Sequence, residues 1–269
     1  MWSRSSARWH VGLSAHRLAR VTLAGALQQR IGSYQDQPCA TDAGAPAWRA
    51  ATGELMRLLE ASPTRVRAVR VVLSGCFVRW QLLPWHPELN RQEEVAAHAR
   101  LRFGEVYGPL AGEWTVLHAP QPPGRAVPAC AVDTALVQLL RTMCKDAGAQ
   151  LELVAPYFAC AAQHWRSTLG EQSAWFAVVE PDWVSLGLLH QGAWVGLHAR
   201  QVDADWAALL PGMMAQLALG AGVAESAWPV YLVGAGDASG SAAAMPWVRL
   251  HPSIVTPGDN TGCRMALGL

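Results

Sequence analysis

Short runs of alternating apolar and polar residues open the chain. His10-Val-Gly-Leu-Ser14 and Leu18-Ala-Arg-Val-Thr-Leu23 flank Ala15-His16-Arg17, a spacing that predicts a β-hairpin. Gly32 to Gly53 is rich in Gly, Ala, Pro, Asp and Gln and reads as a surface excursion. A helix follows over 47–60, with Leu55, Leu58 and Leu59 on one face and Ser62-Pro63 ending it. Ala68–Leu73 and Phe77–Leu83 then read as a strand pair around Ser74-Gly75-Cys76, stopped by Pro84. Asn90, with Glu93 three residues on, has the pattern of a capping box and predicts a helix to about Phe103.

Strands are predicted at Trp114–His118 and Val127–Val132. Asp133-Thr134 caps a helix to Ala147, ended by Gly148. A strand over 150–155 runs into a helix to about Ser167, and Gly170-Glu-Gln-Ser173 marks a boundary. The strand pattern then restarts, with Ala174–Glu180, Val184–His190 and Ala193–Ala199 separated by Pro-Asp and Gln-Gly turns. An apolar helix over 203–222, strands at Trp228–Val233 and Trp247–His251, and a tail without structure signals complete the chain. Trp206 to Val223 carries no charge, but Pro211-Gly212, Gln216, Gly220 and Gly222 dilute it, so a buried helix is expected rather than a membrane span.

Over 269 residues, 51% hydrophobic and 15% charged content excludes a disordered chain. The net charge of +1 leaves no electrostatic footprint for nucleic acid or anionic lipid. Lys145 is the only lysine and lies outside any glycine loop, which excludes a P-loop. The six cysteines form no Cys-x-x-Cys pair and the nine histidines are scattered. Reduced, buried thiols and no metal centre are therefore expected. The N-terminus is basic but lacks the apolar run of a signal peptide, giving a cytoplasmic default.

Candidate chemistry is sparse. Gly234-Ala-Gly236-Asp-Ala-Ser-Gly240 follows a strand, but Ser239 replaces the third glycine of a dinucleotide fingerprint and Pro246 cuts any helix short. Ser185 lacks the first glycine of a nucleophile elbow. Glu93-Glu94 and Asp203/Asp205 read as charges at helix N-termini rather than as acid–base pairs. No catalytic residue is assigned. Tryptophan is abundant, at 13 residues, and any exposed ones are candidate docking anchors.

The order of these elements resembles the actin-like fold, and within it the PilM and GspL proteins of type IV pili and type II secretion. Val11–Leu23 is similar to the opening phosphate hairpin, Leu82-Leu-Pro-Trp85 with the acidic helix and Trp114–His118 to a GspL segment. Ala174–Arg200 is similar to the second phosphate region, and Val230–Gly236 to the adenosine-motif strand. The resemblance implies an α/β, two-lobed actin-like (ribonuclease H-like) fold with mixed sheets flanked by helices. Its first lobe would span 1–169, with an inserted subdomain at about 66–130, and its second lobe 170–269.

An active member of the fold would carry Asp near the Val11-Gly-Leu position, where this chain has Leu13 and Ser14. Its second lobe would open with Asp and Gly, where this chain has Glu180-Pro181-Asp182. Proline lacks the N–H that a phosphate needs. The resemblance therefore implies a non-catalytic scaffold, with Gly12, Ser14, Gly234 and Gly236 as vestiges of a nucleotide site and no bound ATP or magnesium. Its expected partner is the N-terminal peptide of an inner-membrane pilus or secretion protein, or a secretion ATPase. Membrane association would come through that partner, without a span of its own. Trp80, Leu83 and Trp85 are the candidate docking residues. An ATP-binding switch of the same fold and an unrelated α/β small-molecule binding protein stand as alternatives.

Overall fold

The computed structural model describes residues 7–24, 30–41, 43–89, 91–203, 205–224, 227–234, 247–254 and 260–269. The chain divides into two compact units. One comprises Met1–Phe77, Leu136–His164 and His251–Leu269, the other Val78–Ala135 and Trp165–Leu250. The division is not linear in sequence, unlike the expected boundaries. Residues 78–135 join the second unit, and the C-terminal segment returns to the first.

The first unit is built on β1 (Ala7–Leu13), β2 (Arg17–Ala24), β3 (Arg30–Pro38), β4 (Val66–Leu73) and β8 (Gln150–Pro156), in the order β3-β2-β1-β4-β8. The β3, β2 and β1 strands are antiparallel, while β4 and β8 run parallel to β1. The predicted hairpin is thus present. β3 occupies the supposed excursion, as a half-exposed polar edge strand without hydrophobic alternation to reveal it. On α1 (Arg49–Glu60), Ala51, Leu55 and Leu59 are buried on one stripe. The predicted pairing of 68–73 with 77–83 does not form. A short 3-10 turn at Gly75–Phe77 sends the chain out of the first sheet, and Ser74 N–H bonds back to Leu13 O at 2.8 Å.

The tail expected to lack structure contains α7 (Thr261–Leu267), packed on β1 and β2. Its ends are written in sequence: Asn260 Oδ1 accepts from the N–H groups of Gly262 (2.8 Å) and Cys263 (3.2 Å), and Gly268 closes it at φ 73°. Cys263 and Ala266 fill the space over Ala19 and Val21 of β2. The Tyr157 hydroxyl of α4 (Tyr157–His164) donates to Leu269 O at 2.6 Å.

The second unit repeats the first sheet's arrangement. β9 (Ala174–Val179), β10 (Trp183–His190), β11 (Ala193–Gln201), β12 (Val230–Gly234) and β13 (Trp247–Arg249) lie in the order β11-β10-β9-β12-β13. The first three are antiparallel, and β12 and β13 run parallel to β9. Every residue of β9 is buried. Leu210 and Met213 of α6 (Trp206–Ala221) join Trp175, Leu186 and Leu188 in one core, and Gly196 leaves room for Leu217. The uncharged stretch is therefore a helix that lays one face on the core, with Leu219 84% exposed on the other. No described helix is long and apolar enough to cross a membrane.

The same unit holds a small sheet of β5 (Val78–Leu83), β7 (Val127–Asp133) and β6 (Trp114–His118), all antiparallel, in the order β5-β7-β6. Its β5 edge packs against β11. One face is covered by α2 (Gln92–Tyr107), whose Ala99 and Phe103 meet Leu83, Ala129 and Ala131. The Asn90 cap lies outside the described residues. Glu94 Oε2 closes this helix start by accepting the Arg91 N–H at 3.0 Å. As predicted, Asp133 caps α3 (Thr134–Asp146), accepting from Ala135 N–H at 2.8 Å.

None of the six cysteines forms a disulfide. Burial pushes the Cys130 thiol up to about 12 and those of Cys144, Cys160 and Cys263 up to about 11, so these four behave as small apolar groups.

His10 on β1 is 8% exposed. Burial lowers its pKa to about 4, helped by Arg70 and Arg8 and opposed by Glu152. A folded-state pKa below the unfolded value of about 6.5 means the unfolded chain takes up the proton first, so stability falls as pH drops from 6.5 towards 4. Between about pH 7 and pH 5, wild type should lose on the order of 1 kcal/mol more stability than His10→Gln in urea denaturation. Equal losses would show that His10 carries no such penalty.

Candidate functional site

In each of the two turns likened to phosphate loops, one backbone N–H is bonded within the turn. In the β1–β2 turn, Ser14 N–H donates to Arg17 O at 3.0 Å and Ser14 Oγ donates to the same oxygen at 3.3 Å. In the β9–β10 turn, Glu180 N–H donates to Trp183 O at 2.8 Å, and Pro181 has no N–H to offer.

The glycines have packing reasons. A Cβ at Gly12 would lie 2.7 Å from Met265 Cε and 3.1 Å from Ala266 N of α7. At Gly234, φ is 83° and a Cβ would lie 2.1 Å from Val179 O on the neighbouring strand. Gly234 is thus required by close approach of backbone, and Gly12 is favoured by the close packing of α7, whether or not a nucleotide is present. Gly236, Ser239, Gly240 and Pro246 lie outside the described residues. Leu13 and Ser14 stand where a carboxylate is expected, the Ser14 N–H is spent, and the second turn holds a proline. Among the described residues, no group of three His, Cys, Asp or Glu is arranged to hold a metal ion.

The docking candidates separate. Strand periodicity puts Trp80 and Leu83 on opposite faces of β5. Leu83 faces α2, where Gln81 Nε2 also reaches Arg102 O at 3.2 Å. Leu83 and Trp85 line a pocket of about 180 Å³, and Trp80 does not. Trp85 is 43% exposed, unlike Trp9, Trp175 and Trp206, which are core residues.

The pocket lies at the end of the small sheet. Its walls come from the segment after β5 (Pro84, Trp85, His86, Leu89), the first half of α2 (Gln92, Val95, His98), and the β6–β7 connection. His118 ends β6 and Val127 begins β7. Sequence reasoning passed over the three histidines because they are far apart in the chain. Only the packing of α2 on the sheet assembles them, and no local spacing reveals it. His86 and His98 meet edge to face with ring centroids 5.6 Å apart. Two ring nitrogens, His98 Nε2 and His118 Nδ1, are buried and have no hydrogen-bond partner among the described residues. A buried polar atom left unpaired costs roughly 1–3 kcal/mol.

The duplicated sheet, three antiparallel strands followed by two parallel ones in each unit, places the chain in the actin-like fold. No protein-family model matches the chain, and no curated protein matches it. Solved structures do. A Bacteroides thetaiotaomicron protein with an actin-like ATPase fold and unknown function is 14% identical, with TM-score 0.63, over 98% of this chain and 96% of its own. The PilM–PilN type IV pilus biogenesis complex gives 16% identity and TM-score 0.64, over 99% of this chain and 98% of that one. The cytoplasmic domain of EpsL, an inner-membrane component of the Vibrio cholerae type II secretion system, gives 13% and 0.62, over 97% and 93%.

The glycine assignments are testable by stability alone. Gly234→Ala should cost about 2–4 kcal/mol in urea denaturation, because a strained φ and a backbone clash add. Gly220→Ala, in open space on α6, should be neutral or stabilising by up to about 1 kcal/mol. Near-native stability of the Gly234 variant would remove the packing explanation.

Proposed function

We propose that this protein is a non-catalytic actin-like scaffold of a pilus-assembly or type II secretion complex. In this reading it acts at the cytoplasmic face of the inner membrane and is held there by its partner. It recruits a peptide of a membrane protein, or an assembly ATPase. The observation that carries the reading is the actin-like fold, similar over nearly its whole length to PilM and to the EpsL cytoplasmic domain, with both phosphate turns closed on their own backbone. A loop whose N–H groups are already bonded, or replaced by proline, has little left to cradle a phosphate. The pocket beside Trp85 is the recruiting surface in this proposal. It combines an exposed aromatic anchor, apolar walls and unpaired polar atoms.

Titration with Mg·ATP, followed by tryptophan fluorescence and calorimetry, should give neither heat nor spectral change up to millimolar nucleotide. Saturable micromolar binding would replace the scaffold by an ATP-binding switch. The double variant Ser14→Asp with Pro181→Gly should gain no appreciable hydrolysis, because two changes do not rebuild two loops. Robust turnover would overturn a long-degenerate site. Trp85→Ala should lower recruitment of the partner by about tenfold or more while leaving Tm nearly unchanged, since a half-exposed anchor contributes to binding more than to folding. Unchanged recruitment would move the docking surface elsewhere.

A further inference from the structure

We propose that the pocket between β5, β6 and α2 binds a carboxylate next to an apolar residue in an extended peptide that adds to the open edge of β6. The inference deepens the recruiting role proposed above and rests on it for the partner; the chemistry of the pocket is tested without one.

The first argument is the polar lining. Leu83, Val95 and Val127 give the pocket apolar surface, and Trp85, Pro120 and Pro123 add aromatic and proline walls. Among the described residues, no Asp, Glu, Lys or Arg lines it. A cationic ligand would find no counter-charge. An anion would find three imidazoles and the amides of Gln92 and Gln121. His98 Nε2 and His118 Nδ1 are buried and have no partner among the described residues, so an N–H on either is left for an acceptor taken into the pocket to satisfy. A carboxylate accepts at both oxygens and donates nothing, and its charge makes such bonds stronger than those of a neutral hydroxyl or amide oxygen.

The second argument is the approach. β6 lies at an edge of its sheet, so its outward N–H and C=O groups form an unpaired row, and Leu117 stands 55% exposed on it. β6 ends at His118, on the pocket wall. A peptide hydrogen-bonded along β6 therefore runs directly into the pocket, backbone pairing supplying affinity and the pocket side-chain specificity.

The test uses the full chain labelled with ¹⁵N, with 3-phenylpropionate and its neutral amide as small ligands, read through the imidazole resonances. The acid should perturb His98 and His118 and bind tighter than the amide by about tenfold or more. Equal binding of acid and amide, or perturbation that misses both histidines, overturns the carboxylate assignment in the unmodified protein, without relying on a variant that must fold. The capped peptide VTVEF should bind about tenfold more tightly than the acid and than VTVQF. If it gains nothing over the acid, the β6 edge is not the track. If the acid binds as expected but Trp85→Ala leaves recruitment intact, the recruiting reading fails and the pocket chemistry stands; the reverse result overturns the pocket alone.

Discussion

Position 12 leaves little room for a side chain, because the first unit depends on α7 packing closely over β1. β1 is the middle strand of its sheet, and α7 lies so close over it that a single Cβ would enter the space of Met265 and the backbone of Ala266. The close approach lets Cys263 and Ala266 cover Ala19 and Val21, which would otherwise face water on the hairpin. The Asn260 cap and the Gly268 turn hold a seven-residue helix that is too short to form by propensity alone. The glycine, the cap and the apolar contacts are therefore one cooperative device.

The second unit uses glycine in the same way. Gly234 ends β12 against the carbonyl of Val179, and Gly196 admits Leu217 of α6. In an actin-like fold, glycines at strand ends invite a phosphate interpretation. Here the same residues are demanded by strand and helix packing, so their presence says nothing for a nucleotide. The informative residues are those that would have to act on one, namely Leu13, Ser14 and Pro181.

Much of the fold is legible in the sequence because most strands are short, β-prone and punctuated by turn residues. The restart at Ala174 reveals the duplicated sheet, and the first hairpin is read directly. What escapes has physical causes. β3 is a polar edge strand, recognisable only by its pairing with β2. β4 and β5 look like a hairpin because their connection is short, yet the 3-10 turn redirects the chain into another sheet. α7 carries its signals in Asn260 and Gly268, but seven residues give too little periodicity to weigh against the surrounding Gly and Pro. In the candidate site, Leu83 and Trp85 follow from the Leu-Leu-Pro-Trp segment. Trp80 lies on the other face of β5 by strand parity, and the three histidines are joined only by tertiary packing.

The first unit is assembled from three stretches of chain, and its order of synthesis matters. The β1–β2 hairpin leaves the ribosome early, while the helix that covers it is encoded beyond residue 260. At about 5–20 residues per second, that interval is roughly ten to fifty seconds. Throughout it, the α7-facing side of the hairpin lacks its cover, with Ala19 and Val21 uncapped. The second unit, whose segments are all made before residue 251, can close in the meantime. During translation the first unit, although it begins first, is therefore the last to receive all of its chain.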